Sequence, residues 1–168
     1  MAEAHATALF DFSLQRQDST VAAKNFLTLF NPVGSGVIMS MGGIFVSYMA
    51  TNPSPAYPLR GYRISSAPTG GTLHAESEIC RFDTQRFAPV AVIRSGNPTT
   101  GTLGAAFFNA SPGITLGTQH SSDIQQIDVP AGFNPFIVYP GEGIALRQDV
   151  GNPGHYWNIS IVWRGVRT

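Results

Sequence analysis

Apolar and polar residues alternate most strictly near the C-terminal end of the chain. Trp157, Ile159, Ile161 and Trp163 take every second position, with Asn158, Ser160 and Arg164 on the others. A period of two is that of a strand with one buried face. Each tryptophan can bury roughly 200 Å², so these four residues are the expected core anchors. Ile144 and Leu146 repeat the pattern on the preceding segment, and Gly151-Asn152-Pro153-Gly154 lies between the two. Glycine supplies positive φ and proline a fixed φ, so the two segments are predicted to pair as a hairpin.

Upstream, residues 26–30 form a short apolar run that ends at the loop signal Asn31-Pro32-Val33-Gly34-Ser35-Gly36. A long strand is predicted over 37–49. Val37, Met39 and Met41 share one parity and Ile44, Val46 and Tyr48 the other, so one extra residue is inserted at Gly42-Gly43, as in a β-bulge. Those glycines are not a phosphate-binding loop, because no Gly-Lys-Ser/Thr follows them. Further strands are predicted over 61–65, 72–82, 88–94, 105–109, 124–129 and 136–139. Proline- and glycine-rich loops at 51–58, 67–71, 95–101 and 111–122 separate them. Residues 21–29 lack the sustained apolar face of a helix.

The chain therefore reads as all-β, an antiparallel β-sandwich or jelly roll of about eight to ten strands. Residues 1–24 are read as an extended N-terminal arm and 25–168 as a single sandwich domain. Leu9, Phe10, Phe12 and Leu14 are the arm's apolar contacts. Such an arm packs along its own domain or adds a strand to a neighbour's sheet edge.

Composition narrows the partners. Of 168 residues only 12% are charged, the formal net charge is zero, and Lys24 is the sole lysine. Nucleic acids and anionic membranes are bound through clustered basic side chains, so neither is an expected partner. A neutral surface resists self-association poorly, which suggests that other subunits cover much of it. No stretch approaches the roughly 18 uninterrupted apolar residues of a membrane span. No secretory signal is read at the N-terminus, and synthesis in a cytoplasm is expected. The single cysteine, Cys80, excludes an internal disulfide and reads as a small core residue.

Candidate chemistry is sparse. His74, Glu76 and Glu78 would share one face of the strand predicted over 72–82, giving a carboxylate pair with a histidine or, alternatively, a solvent-facing row. His5, His120 and His155 stand singly and read as surface or turn residues. Arg60 and Arg63 flank Tyr62 and, with Arg81, Arg86 and Arg94, form a modest basic face or pair with carboxylates. Arginine's planar fork favours interfaces, so Arg60 and Arg63 are taken as subunit contacts. Asn158-Ile159-Ser160 matches a glycosylation sequon but falls inside the last predicted strand. No catalytic residue, cofactor or metal is expected.

Several pieces resemble small β-sandwich proteins encoded beside capsid genes in tailed phages. They are Asn31-Pro32-Val33-Gly34-Ser35-Gly36, Gly70-Gly71-Thr72, Pro140-Gly141-Glu142-Gly143-Ile144 and the closing Trp157-Asn158-Ile159-Ser160-Ile161-Val162-Trp163-Arg164, in that order from Asn31 onward. The resemblance implies a decoration or cement protein on the outer capsid surface of a virion. It would be a homo-oligomer, expected as a trimer, with the major capsid protein as its partner. The alternative is a receptor- or carbohydrate-binding head of a phage tail or fibre, using Tyr57, Tyr62, Asn97, Asn109 and Tyr156 to stack on and hydrogen-bond a sugar.

Overall fold

The structure, a computed structural model, describes residues 7–50, 57–82, 87–110, 125–126, 136–151 and 153–168. Among these it contains β1 (Thr7–Asp18), β2 (Lys24–Phe30), β3 (Val37–Ala50), β4 (Leu59–Ile64), β5 (Thr72–Leu73), β6 (Cys80–Arg81), β7 (Val92–Ser95), β8 (Leu103–Ala110), β9 (Gln125–Gln126), β10 (Ile137–Val138), β11 (Gly143–Gln148) and β12 (His155–Arg167). A 3-10 turn over Glu76–Glu78 is the helical element. The strands form two antiparallel sheets packed face to face, a β-sandwich. The front sheet has the order β10-β3-β12-β1-β6, with β9 also on β3; the back sheet runs β5-β7-β2-β11-β4-β8. The long-range pairs are nested, β1 with β12, β2 with β11, β3 with β10 and β4 with β8.

Period-two burial builds the core. Trp157, Ile159, Ile161 and Trp163 are each about 1% exposed and face Phe26, Leu27, Leu29, Ile144 and Leu146 of the back sheet in one cluster. Gln148, itself buried, accepts a hydrogen bond from Trp157 Nε1 across the sandwich at 3.0 Å. The expected bulge is present: Val162 pairs with Gly43 and Trp163 with Met41, leaving Gly42 as the extra residue.

Two expectations change and a third is narrowed. β11 and β12 are not a hairpin, because β11 lies between β2 and β4 in the back sheet and β12 between β1 and β3 in the front. Both strands have an apolar face, and setting those faces opposite each other buries both, which side-by-side pairing would not. Within the stretch read as an arm, residues 7–18 are β1, an integral strand of the chain's own front sheet, which is the first of the two placements expected for it, while residues 1–6 lie outside the described residues. β1 pairs with β12 from Thr7↔Val166 to Asp18↔Tyr156, and Phe10, Phe12 and Leu14 are core, while Leu9 is half-buried on the outer face. The bulge between Leu14 and Gln17 puts Arg16 at φ 48, where its N–H donates to Asn158 Oδ1 at 2.7 Å. Finally, the strand predicted over 72–82 is broken by the 3-10 turn, and Cys80 is exposed, because Ile79 beside it takes the buried position.

Candidate functional site

The site forms where the chain crosses between the sheets. β5 adds to the edge of the back sheet, with Thr72 opposite Ser95 and Leu73 opposite Arg94. β6 adds to the edge of the front sheet, with Cys80 opposite Asp11. The 3-10 turn makes the crossing, and His74 sits at its start, its N–H held by the Ile93 carbonyl at 3.0 Å.

His74 is bonded at both ring nitrogens. Nδ1 lies 3.0 Å from Glu78 Oε1 and Nε2 lies 2.7 Å from Ser95 Oγ. The other Glu78 oxygen accepts the Ala75 N–H at 2.6 Å. These bonds, His74 first and the Ala75 N–H second, hold the Glu78 carboxyl below its ordinary pKa. An ionised carboxylate only accepts, so Nδ1 carries the ring proton in the neutral imidazole. Nε2 is then an acceptor facing the Ser95 hydroxyl. Phe12 packs on the imidazole with ring centroids 4.6 Å apart.

Ser95 ends β7 and is held by close backbone packing. Gly71 has φ +61, and a Cβ there would collide with the Ser95 carbonyl oxygen. Gly96 and Asn97 follow with φ of 71 and 69, a turn that glycine and asparagine tolerate best. Asn97 and Asn25 exchange bonds at 3.0 Å, Asn97 N–H to Asn25 O and Asn25 N–H to Asn97 Oδ1.

The expected row of His74, Glu76 and Glu78 is thus divided. The turn points Glu76 to Arg81, with which it forms an ion pair, and brings Glu78 back to His74. Ser95 was missed by sequence reasoning, since only the β5–β7 register brings it to His74. Among the described residues no group of three His, Cys, Asp or Glu side chains is placed to hold a metal ion. Comparison of the chain with protein-family models, with curated proteins and with solved structures finds no match.

The other candidates have separate places. Arg60, taken from sequence as a subunit contact, pairs with Asp149 at 3.2 Å, and Asp149 also accepts from Tyr62 Oη at 3.0 Å and Arg147 Nε at 2.9 Å. Arg63 reaches Glu142 at 3.4 Å and lies 4.0 Å over the Phe136 ring. Both arginines therefore meet carboxylates of their own chain, Glu142 just before β11 and Asp149 just after it. Arg94 donates to the Gly70 carbonyl, and Arg86 lies outside the described residues. His155 is buried, contrary to expectation, because it starts β12 beneath Tyr48, 5.2 Å between rings; His5 and His120 lie outside the described residues. Tyr156 lies under Arg16, 5.0 Å from guanidinium to ring, while Tyr57, in the loop before β4, and Asn109, on β8, are exposed.

The outer face of the front sheet is the other notable surface. Leu9, Asp11, Ser13 and Gln15 of β1 stand beside Tyr156, Asn158, Ser160, Val162 and Arg164 of β12, which adjoin Met49, Ser47, Phe45 and Ser40 of β3. Asp11 and Arg164 are charged, as are Asp18 opposite Tyr156 and Arg16 over its ring, and Asp11 accepts a 2.7 Å bond from Ser160. A shallow groove of about 270 Å³ crosses this face, lined by Ser13, Gln15, Phe45, Ser47, Asn158 and Ser160.

Proposed function

We propose that this protein is a virion structural protein, a decoration or cement protein that binds across capsomer boundaries of a tailed-phage capsid as a homotrimer. The observation that carries the reading is the outer face of the front sheet. It spans three long strands, and Leu9, Phe45, Met49 and Val162 lie on it among hydroxyl and amide side chains that can hydrogen-bond a covering protein, the mixture found in non-obligate protein–protein interfaces. The nested strand pairing supports the reading, because we take it as a jelly roll, an architecture used by viral capsid and lectin domains.

In this account copies of the chain meet through the front face, and the trimer holds neighbouring capsomers together. A trimer that engages the lattice at several points gains effective concentration after the first contact, so each contact need not be tight. The test is to add the purified protein to bare shells of the virus that encodes it and sediment them. Co-sedimentation with a raised temperature of shell disruption is expected; shells that stay bare and equally fragile contradict the proposal.

The groove on the same face favours a second reading, a carbohydrate-binding head, since hydroxyl and amide groups around Phe45 suit a neutral sugar. Binding on a glycan array that is lost in Phe45→Ala would favour it over decoration.

A further inference from the structure

We propose that Ser95 is an activated nucleophile that takes an acyl group from a carboxylic ester, with His74 as its general base and Glu78 as the residue that positions His74. This goes beyond the structural role and does not depend on it. The geometry is that of an activated serine: nucleophile and base within hydrogen-bond reach, 2.7 Å, and the base oriented in turn by a third group at 3.0 Å. The connectivity also has the required sense. Glu78 fixes the proton on Nδ1, which leaves Nε2 free to accept the proton of Ser95 Oγ.

The reaction balances on these groups alone. Ser95 Oγ attacks the ester carbonyl carbon and its proton passes to His74 Nε2. Collapse of the tetrahedral adduct breaks the bond to the alkoxy oxygen, and the alcohol leaves with the proton from Nε2. The products are acyl-Ser95 and the alcohol. Water, deprotonated by the same nitrogen, then releases the carboxylic acid and restores Ser95.

Position sets the substrate class. Ser95 is 7% exposed, the His74 side chain 9% and the Glu78 side chain 51%, so the network runs from solvent inward at the side of the sandwich. Phe12 closes one face of the imidazole. So little exposure at Ser95 restricts the acyl group to a small one such as acetyl.

The test uses the full chain with two probes, a small fluorophosphonate and p-nitrophenyl acetate, with the adduct mapped by peptide mass spectrometry. A single adduct on Ser95 is expected. His74→Gln should slow its formation by roughly 100-fold or more, the usual scale of general-base assistance. Glu78→Gln should slow it and displace the pH dependence of the rate, which a merely structural contact would leave in place. Thermal unfolding of each variant establishes that it is folded. No adduct on Ser95 of the folded wild type, or an adduct that forms as fast in folded His74→Gln, overturns the proposal and leaves the network as a brace for the crossing.

Discussion

Replacing Phe10 by alanine tests whether β1 is an integral strand of its own domain rather than a detachable arm. Phe10 is 1% exposed and packs against Trp163 with ring centroids 5.5 Å apart and against Phe87 at 6.1 Å. Burial loss and the residual cavity together cost about 3–5 kcal/mol for a phenylalanine truncated in a core. The two tilted aromatic contacts place the value in the upper part of that range. For a domain of this size each kcal/mol lowers the melting temperature by about 2–4 °C, so a fall of roughly 8–16 °C is expected. Leu9→Ala is the matched control, one residue away but facing outward beside Arg164. It should cost about 0.5 kcal/mol. Urea unfolding followed by tryptophan fluorescence reads both, since Trp157 and Trp163 are buried in the folded state. If Phe10→Ala proved as mild as Leu9→Ala, β1 would be a detachable arm and the front sheet as described would be wrong.

Other predictions follow from the same contacts. Gln148→Leu leaves the buried Trp157 indole N–H without its acceptor across the sandwich and should cost about 1–3 kcal/mol, measured by urea unfolding. Burial pushes the His155 pKa below its ordinary 6.5. The unfolded state then takes up the proton first, so the stability tied to neutral His155 is intact above pH 6.5 and is lost as pH falls from there through the lower folded pKa. Melting temperatures measured from pH 8 to about pH 5 should decline below roughly 6.5, and a flat profile in that window would contradict the assignment. Gly71→Ala drives a Cβ into the Ser95 carbonyl at φ +61, so it should lower the melting temperature and also slow Ser95 labelling.

What could be read in advance was local. The strand face of Trp157, Ile159, Ile161 and Trp163 was legible because alternation within one strand needs no knowledge of its neighbours. The bulge was legible for a related reason: a parity change on either side of Gly42-Gly43 records an inserted residue. Partnership was not legible. Gly151 and Gly154 suit a chain that turns back beside itself and equally one that passes to the facing sheet, and here it passes. The same blindness left open where β1 packs, since Leu9, Phe10, Phe12 and Leu14 read as apolar without naming β12 as their cover. At the site, His74 and Glu78 are four residues apart and were singled out together. A 3-10 turn, not a strand, makes them touch. Ser95 is 21 residues from His74 and carries no signal of its own, because its place is set by the β5–β7 register.

The function proposed here rests most directly on the front face being covered by other copies of the chain. Light scattering on the purified protein, with and without the pair Ser13→Lys and Ser47→Lys, tests it. Ser13 and Ser47 lie on β1 and β3 on either side of Asn158 and Ser160, so two long ammonium side chains there would be forced into any contact across this face. The account predicts about three times the single-chain mass for the wild type and the single-chain mass for the folded double variant. A wild-type monomer, or a trimer that the two lysines leave intact, would contradict it.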